Sequence, residues 1–378
     1  MSVSTNEIPP RCWAEIDLAA LRRNARACRS RSGRICRIMA IVKADAYGHG
    51  LGRVVTALAA EVDWFGVANV EEAIRARVAA GSEIPILILS PATPGEVEAI
   101  VSGRFSASIS TLAEVETFAK AAKEAGVTAR LHAVADTGMG RMGSAPPQFP
   151  DLVEAILQSP HCDLEGVETH FPSADEDVDF TRGQIETFRQ LIGSLNLDSR
   201  CEIHLGNSAG LIGFHDETPF ATLARPGLAL YGLSPLSEES DDLEPALSLK
   251  SRVTLVREIP AGTSISYGRT FVSDRPMRVA TLGLGYGDGY PRHLSGNETD
   301  VLVHGSRCRL LGRVTMDQIV VDVSEVETPV ESGDEVVLIG KQGDKQITAH
   351  ELARQAETIP WEILTGITSR VERVYVGG

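Results

Sequence analysis

The segment "AIVKADAYGHG", residues 40–50, places Lys43 at the end of an apolar run. A lysine at the end of a strand is commonly an exposed charge. In a semi-enclosed pocket, however, burial lowers the pKa of the amine, because the charged form loses its water. A neutral amine is a nucleophile that forms Schiff bases with carbonyl compounds. The segment therefore indicates either a surface charge or a reactive amine, and the other residues of the chain must decide between them.

Other polar residues stand where further apolar runs end. They are Asp136 and Arg141 in "DTGMGRMG", His170, Asn207, Ser208 and Arg225. "NSAG" and "RPG" are typical of a phosphate site, because a hydroxyl and free backbone N–H groups bind the anion and Gly227 allows its close approach. Arg225 is then a candidate partner for a ring nitrogen. Together with a Schiff-base lysine, these are the groups that pyridoxal phosphate needs.

Short apolar runs alternate with helix-like segments over much of the chain. The runs are 37–43, 64–69, 85–90, 105–110, 129–136, 162–170, 202–207 and 223–232. Eight such units are the number that closes a (β/α)8 barrel of the TIM type, and a doubly wound open sheet is the alternative. In a barrel the strand ends meet at one face, where active sites lie, so the polar residues listed above would converge there.

After about residue 245 the pattern changes to strands separated by short Gly, Asp or Ser turns. Only residues 347–357 look helical there, with Thr348 as N-cap and Glu351 three residues later. We predict a barrel domain over residues 18–245 and a β-rich C-terminal domain over 246–378. Residues 8–17 are predicted to add a strand to the second domain.

Composition excludes several classes of protein. The chain has 378 residues, of which 43% are hydrophobic and 23% charged, with a net charge of −15. The negative charge argues against nucleic-acid binding, which needs a basic face. No apolar run is long enough to span a membrane, and the N-terminus lacks a signal-peptide pattern, so we expect a cytoplasmic protein. The six scattered cysteines form no CxxC pair and predict no metal site.

Eight motifs stand in order along nearly the whole chain: "AIVKADAYGHG", "DTGMGRMG", "THF", "GNSAG", "RPGLALYG", "SYGRTF", "LGYGDGY" and "GRVTMDQ". Together they resemble the alanine racemase family of fold-type III pyridoxal-phosphate enzymes. The resemblance implies a homodimer that interconverts L- and D-alanine, has pyridoxal 5'-phosphate as cofactor, and makes D-alanine for the peptidoglycan cell wall. It also implies that each active site is shared between the two subunits.

The resemblance assigns roles residue by residue. Lys43 would bind the cofactor covalently and act as one acid/base group, and Tyr267 of the other subunit would be the second. Two groups on opposite faces of a planar carbanion are the minimum for racemisation. The remaining assignments fall into two sets. Tyr47, His170, Asn207, Ser208, Arg225, Gly227 and Leu228 would bind or orient the cofactor, and Arg141, Tyr286, Met316 and Asp317 would bind the substrate.

Two positions depart from the family pattern. A lysine that is carboxylated in many members, and that braces the arginine of "DTGMGR", is replaced here by Val134. Trp361 stands where a cofactor-contacting tyrosine is expected, so its ring would line the cofactor site in this chain. We expect these departures to alter rate or substrate range without abolishing racemisation.

Three other functions stay open at this point. The first is racemisation of another amino acid, such as serine, or of several. The second is a related barrel decarboxylase, although the cysteine-containing substrate motif of that group is not seen. The third is a cofactor-binding or regulatory protein without activity, against which the joint presence of Lys43 and Tyr267 argues, because binding alone needs no base on each face.

Overall fold

The computed structural model describes residues 9–32, 37–81, 84–236 and 242–378. Cys36, and Ile8 at the start of the predicted N-terminal strand, lie outside this part of the chain. The described residues divide into two compact units. We call residues 20–46 and 50–244 the barrel unit, and residues 9–19, 47–49 and 245–378 the strand-rich unit.

The strands of the described residues are as follows, in chain order: β1 Cys12–Asp17, β2 Arg37–Ile41, β3 Trp64–Val67, β4 Ile86–Ile88, β5 Ser106–Ile109, β6 Ala129–Val134, β7 Cys162–Glu168, β8 Glu202–His204, β9 Leu223–Ala224, β10 Leu247–Ile259, β11 Ser264–Ile265, β12 Phe271–Val272, β13 Met277–Leu282, β14 Asp300–Val303, β15 Ser306–Leu311, β16 Ile319–Asp322, β17 Glu335–Gln342, β18 Lys345–Ile347 and β19 Glu372–Val376. The helices are α1 Leu18–Arg31, α2 Leu51–Leu58, α3 Val70–Ala80, α4 Val97–Ser102, α5 Leu112–Ala125, α6 Phe149–Gln158, α7 Val178–Gly193, α8 Ser208–Phe214, α9 Ala349–Gln355 and α10 Pro360–Thr365.

Strands β2 to β9 form an eight-stranded parallel sheet in the order β8-β7-β6-β5-β4-β3-β2-β9. Two backbone hydrogen bonds join the ends of this order: Thr222 N donates to Ile203 O over 2.9 Å, and Arg225 N donates to Gly206 O over 2.8 Å. The sheet is therefore a closed barrel, which confirms the predicted fold class and rules out the open sheet.

The last barrel strand is shorter than predicted. The apolar run 223–232 contains only the two-residue strand β9, followed by a 3-10 turn over Leu228–Tyr231. Pro226 interrupts the run, because proline has no N–H for a sheet hydrogen bond. Its carbonyl oxygen still accepts from Ile41 N over 3.1 Å, so the chain stays attached to β2 beyond the end of the strand.

Local sequence signals account for the helix bounds. Asn69 caps α3 by accepting from Glu72 N. Thr111 and Glu114 form a capping box at α5, which ends at Gly126 in the left-handed conformation that glycine tolerates. In α3 the buried residues are Ala73 and Ala76, whereas Ile74 and Val78, which also recur at helical spacing, are exposed.

The strand-rich unit contains a nine-stranded sheet in the order β18-β17-β14-β15-β16-β13-β10-β1-β19. Strand β1 pairs antiparallel with β10 and parallel with β19, so both ends of the chain enter one sheet. Thr348 caps α9 by accepting from Glu351 N, as predicted. The expectation of a single helix in this region was wrong: α10 is a second one, and Pro360 occupies its first turn, where a missing N–H costs nothing.

Candidate active site

Lys43 stands two residues beyond β2, at the start of a left-handed turn. Ala44, Asp45, Ala46 and Tyr47 have φ values of 54°, 52°, 56° and 54°. For residues other than glycine this conformation costs about 1–2 kcal/mol each, because the side chain approaches the backbone. Four such residues in a row therefore need support from their surroundings.

Two carboxylates supply that support within the barrel unit. Glu72 of α3 accepts from Ala44 N over 2.7 Å with Oε1 and from Ala68 N over 2.9 Å with Oε2. Asp45 Oδ1 accepts from Arg75 Nη2 over 2.7 Å and from Leu51 N over 3.1 Å. The backbone that follows Lys43 is thus fixed at successive residues.

Lys43 itself is half-buried. Burial lowers the pKa of its amine, and the positive charges of Arg141 and Arg225 lower it further, against the opposing effect of the Glu72 carboxylate. An amine whose charged form is disfavoured in this way is the nucleophile and base that a Schiff-base lysine must be. The reactive-amine interpretation of the segment fits this environment.

Arg225 lies buried beyond β9, with only 3% of its surface exposed. Its Nη1 donates to His204 Nδ1 over 2.6 Å, and its Nη2 donates to Thr169 O over 2.6 Å and to His170 Nδ1 over 3.2 Å. None of the described residues accepts a hydrogen bond from Nε. The guanidinium is therefore held by its two outer nitrogens, and Nε is left for another acceptor.

His170 is neutral in this environment. Burial, together with the positive charges of Arg225, Arg141 and Lys43, lowers the pKa of the His170 imidazole to about 3. Because an arginine can only donate, the His170 Nδ1 that faces Arg225 is the unprotonated nitrogen. The imidazole thus acts as an acceptor that orients Arg225.

The loops after β8 and β9 are tied together by one hydroxyl. Ser208 Oγ accepts from Gly227 N over 2.9 Å and from Ala229 N over 3.2 Å. Asn207 caps α8 by accepting from Gly210 N over 2.9 Å, and its amide nitrogen donates to Phe171 O over 3.2 Å. The Asn207 side chain is therefore used in positioning the loop. The remaining predicted cofactor residue of this region, Leu228, is buried beside Gly227.

The loop that carries Arg141 is ordered by Asp136, whose Oδ1 accepts from Gly138 N and Gly140 N, both over 3.0 Å. Asp136 therefore has a structural role in this loop. Arg141 is exposed, and it makes no hydrogen bond or ion pair with any residue in the described part of the chain. Val134, at the position of the missing lysine, is buried and lies beside Glu168 of β7 in the strand register.

Three of the predicted substrate residues come together in the strand-rich unit. Tyr286 N donates to Thr315 O over 3.0 Å, which joins the Tyr286 turn to the Met316 loop. Asp317 Oδ1 accepts from Arg370 Nη2 over 2.9 Å. Tyr286 and Met316 are 40% and 51% exposed. Their side chains are therefore presented on the surface of this unit.

The other predicted residues of the strand-rich unit differ in exposure. Tyr267 begins the 3-10 turn Tyr267–Arg269 and is 71% exposed. Tyr47 is buried, and burial raises the pKa of its hydroxyl to about 12, so it stays a hydrogen-bond donor. Trp361 lies on α10 and is half-buried.

The structure also shows residues that the sequence analysis missed. Glu72 holds the turn after Lys43, Glu168 forms an ion pair with Arg225, and Arg370 holds Asp317. A signal existed for Glu168, because an acidic residue directly before "THF" interrupts an otherwise apolar strand end. Nothing in the local pattern distinguishes Glu72 from a solvent-exposed helix residue.

The described residues contain neither a metal cluster nor a membrane-spanning helix. No group of three or more His, Cys, Asp or Glu side chains in them is arranged to hold a metal ion. None of their helices is both long enough and apolar enough to cross a membrane.

The comparisons with known proteins agree along the chain. The family model described as "Alanine racemase, N-terminal domain" matches residues 16–235, and "Alanine racemase, C-terminal domain" matches residues 246–375. An alanine racemase of Symbiobacterium thermophilum is 43% identical over 371 residues, which are 97% of this chain and 97% of the relative.

Solved structures give the same result. The alanine racemase of Streptomyces lavendulae, a producer of D-cycloserine, superposes with a TM-score of 0.91 at 36% identity, covering 98% of both chains. The alanine racemase of Bartonella henselae, which has covalently bound pyridoxal phosphate, superposes with a TM-score of 0.87 at 26% identity, covering 97% of this chain and 100% of that one. With this identity over nearly the full length, the chain belongs to the alanine racemase family.

Proposed function

We propose that the chain interconverts L- and D-alanine by a two-base mechanism in which Lys43 and Tyr267 come from opposite subunits of a homodimer. Alanine racemisation itself follows from membership of the family, and the family depends on pyridoxal phosphate. The observation that carries the mechanism is the environment of Lys43, a half-buried amine whose pKa is lowered by burial and by two arginines.

The residues of the barrel unit fit this cofactor. Lys43, Arg141 and Arg225 are close enough for the charges of the arginines to disfavour the charged lysine. Cationic side chains suit a cofactor and a substrate that both carry anionic groups. Arg225 Nε is unused by the described residues, as a partner for a ring nitrogen requires. Lys43, Arg225 and Ser208, with the backbone at Gly227 and Leu228, would hold the cofactor, and His170 and Asn207 would position these groups.

The bound cofactor supplies an electron-withdrawing ring that makes the α-proton of alanine acidic. One of Lys43 and Tyr267 would remove that proton, and the other would deliver its own proton to the opposite face of the α-carbon. Because one group takes the proton and the other delivers one from the opposite side, the configuration inverts. Arg225 would accept no proton and give none readily, since a guanidinium holds its protons strongly.

Tyr267 is a base for the partner subunit in this scheme. Its 71% exposure would leave it in bulk water if the chain acted alone. Tyr286 and Met316 are exposed on the same unit, and the resemblance assigns both to the substrate site. Arg141 would bind the alanine carboxylate, and Asp317, held by Arg370, would complete the site from the partner together with Tyr286 and Met316. Tyr47 would donate to the cofactor phosphate, and Trp361 would line the same pocket.

Mixed dimers test the shared site. One subunit carries Lys43→Ala and the other Tyr267→Phe, and the dimer is purified by a different affinity tag on each subunit. Each homodimeric variant should lose about 10³-fold or more in kcat, since each lacks an acid/base group. The mixed dimer retains one intact site, so we expect about half of the wild-type activity per dimer.

The matched control places both substitutions in one subunit, beside a wild-type partner. If sites are shared, each site of this dimer lacks one group, and we expect no activity above that of the homodimeric variants. Half activity here, with none in the first mixed dimer, would mean that both groups come from the same chain and would refute the proposal. Chiral chromatography of the products measures both dimers.

The cell biology follows as a proposal from the same assignment. A cytoplasmic enzyme of this type would supply D-alanine for peptidoglycan, with free amino acids as its substrates and no nucleic-acid partner. The predicted domain bounds, 18–245 and 246–378, also remain a proposal. The family matches support it by leaving a gap between residues 235 and 246.

A further inference from the structure

A buried network of polar side chains fills the barrel beside Arg225. Glu168, the last residue of β7, is 6% exposed. Its Oε2 lies 3.3 Å from Arg225 Nη1 and 3.6 Å from His204 Nδ1, and its Oε1 accepts from Ser108 Oγ over 2.6 Å. These contacts join strands β5, β7 and β8 to the residue that would face the cofactor ring.

The donors and acceptors of this network run in one direction, from Arg225 through the two histidines towards Glu165. Arg225 donates to His204 Nδ1, so His204 carries its proton on Nε2 and donates to His132 Nδ1 over 2.8 Å. The proton of His132 is then on Nε2, which lies 3.5 Å from Glu165 Oε2. The tautomers of His204 and His132 are therefore fixed only while Arg225 donates to His204.

We infer that Glu168 is a positioning residue for racemisation: its carboxylate neutralises Arg225 inside the barrel and fixes the guanidinium with Nε directed away from the network. The inference rests on the proposed role of Arg225 at the cofactor ring. Buried charges are stable only when they are paired and hydrogen-bonded. Glu168 is the carboxylate that forms an ion pair with Arg225 among the described residues.

The charge of Glu168 matters because Arg225 has cationic neighbours. Burial lowers the pKa of the Arg225 guanidinium and the charge of Arg141 lowers it further, whereas the Glu168 carboxylate raises it. Without this anion, repulsion by Arg141 would favour a guanidinium turned away from its present hydrogen bonds. Ser108 holds the second carboxylate oxygen, so the carboxylate is itself fixed in orientation.

A second buried glutamate of the barrel provides the matched control. Glu202, the first residue of β8, is also buried, forms an ion pair with Arg37, and accepts from Thr222 Oγ1 over 2.6 Å. Glu202 begins β8, whereas Glu168 ends the neighbouring strand β7, and the partners of the Glu202 carboxylate, Arg37 and Thr222, are not proposed site residues. Glu202→Gln and Glu168→Gln thus make the same chemical change in similar surroundings, at different distances from Arg225.

The experiment compares Glu168→Gln, Glu168→Asp and Glu202→Gln with the wild type. Four quantities are measured: kcat and KM for alanine, the absorption spectrum of the bound cofactor, the cofactor Kd of the apoprotein, and the melting temperature without cofactor. For Glu168→Gln we expect kcat to fall about 10- to 100-fold, because Arg225 would no longer be held in position at the cofactor ring. KM should change less than about threefold. The absorption spectrum should shift, because the ring nitrogen meets a differently placed Arg225.

Glu168→Asp keeps the charge and should recover part of kcat and of the spectrum. Glu202→Gln should lower only the melting temperature. If Glu168→Gln and Glu202→Gln both lower the melting temperature while kcat, the spectrum and the cofactor Kd stay at wild-type values, Glu168 is structural and the inference is wrong. A failure of the mixed-dimer test would leave these readouts valid, since they concern Arg225 and not Tyr267.

Should Glu168→Gln not fold, Ser108→Ala replaces it, because it removes one hydrogen bond to the carboxylate and keeps the charge. The same pattern is expected with a smaller change, a fall in kcat of about threefold to tenfold and a detectable spectral shift. An unchanged kcat and an unchanged spectrum in Ser108→Ala would overturn the inference.

Discussion

Individual side chains in the barrel are tuned by burial and by their cationic neighbours. His204 is fully buried, and burial together with Arg225 and His132 lowers its pKa well below the ordinary value of 6.5. His170, at about 3, is neutral for the same reasons. Both imidazoles are therefore acceptors for Arg225 at physiological pH, and both would have to lose these contacts to take up a proton.

This predicts a pH dependence of stability for the apoprotein. A histidine whose pKa is lower in the folded than in the unfolded chain stabilises the fold above pH 6.5, and this stability is lost as the pH falls. With two such residues, the free energy of unfolding should decrease by up to about 2.7 kcal/mol per pH unit below pH 6. Urea unfolding between pH 7.5 and 5, at one protein concentration, measures the slope.

His204→Gln should remove the contribution of one histidine from this slope. This holds even if the substitution also changes the free energy of unfolding at neutral pH. Equal slopes in wild type and His204→Gln would contradict the assignment of a neutral, buried His204.

At the level of elements, strand positions were predictable and special backbone conformations were not. Seven of the apolar runs contain strands of three or more residues, because buried parallel strands are short, continuous and apolar. The left-handed turn after Lys43 contains no glycine, so local propensity does not predict positive φ angles there. It depends on Glu72 and Arg75 of α3, which bond to Ala44 N and to the Asp45 carboxylate and reach the turn only when α3 is packed against the barrel.

The candidate site also contains some features that the sequence predicted and others that it did not. Each proposed role was assigned from a motif, since spacing alone left Lys43 open between a surface charge and a reactive amine. Glu168 and Ser108 are far apart in sequence and meet only because β5 and β7 both point side chains into the barrel. Strand β19 was also missed, because it pairs with β1 from the far end of the chain.

The left-handed turn predicts opposite effects for one substitution at two alanines. Ala44→Gly should raise the free energy of unfolding by about 1 kcal/mol, because glycine adopts positive φ without the steric cost. Ala113, exposed in the first turn of α5, has a right-handed conformation, and Ala113→Gly should lower the same quantity by about 0.5–1 kcal/mol. Chemical denaturation of both apoproteins gives the comparison, and a loss of stability in Ala44→Gly would contradict it.

For the whole molecule, the proposed active site exists only in a dimer. A single chain would leave three exposed side chains without their proposed role in the partner's active site: Tyr267, Tyr286 and Met316. The acidic net charge of −15 opposes this association only weakly, because repulsion between distant surface charges is largely screened at physiological ionic strength.

Dilution should therefore lower specific activity. With pyridoxal phosphate held in excess, we expect activity per subunit to fall in proportion to the fraction of dimer, and to return when the sample is concentrated. Mass photometry gives the dimer fraction in the same samples. A monomer that keeps full activity would show that one chain suffices.

The closure of the barrel also constrains the order of events during synthesis. Arg37 and Ile38 at the start of β2 pair with Leu223 and Ala224 of β9, so this edge of the first barrel strand is paired only after almost the entire barrel unit has left the ribosome. Contacts of such long sequence separation form late in folding. Ser208, which follows β8, and Gly227, which follows β9, also come into contact only when β9 joins the barrel. The proposed cofactor site of a nascent chain would therefore be complete only after its eighth barrel strand has emerged.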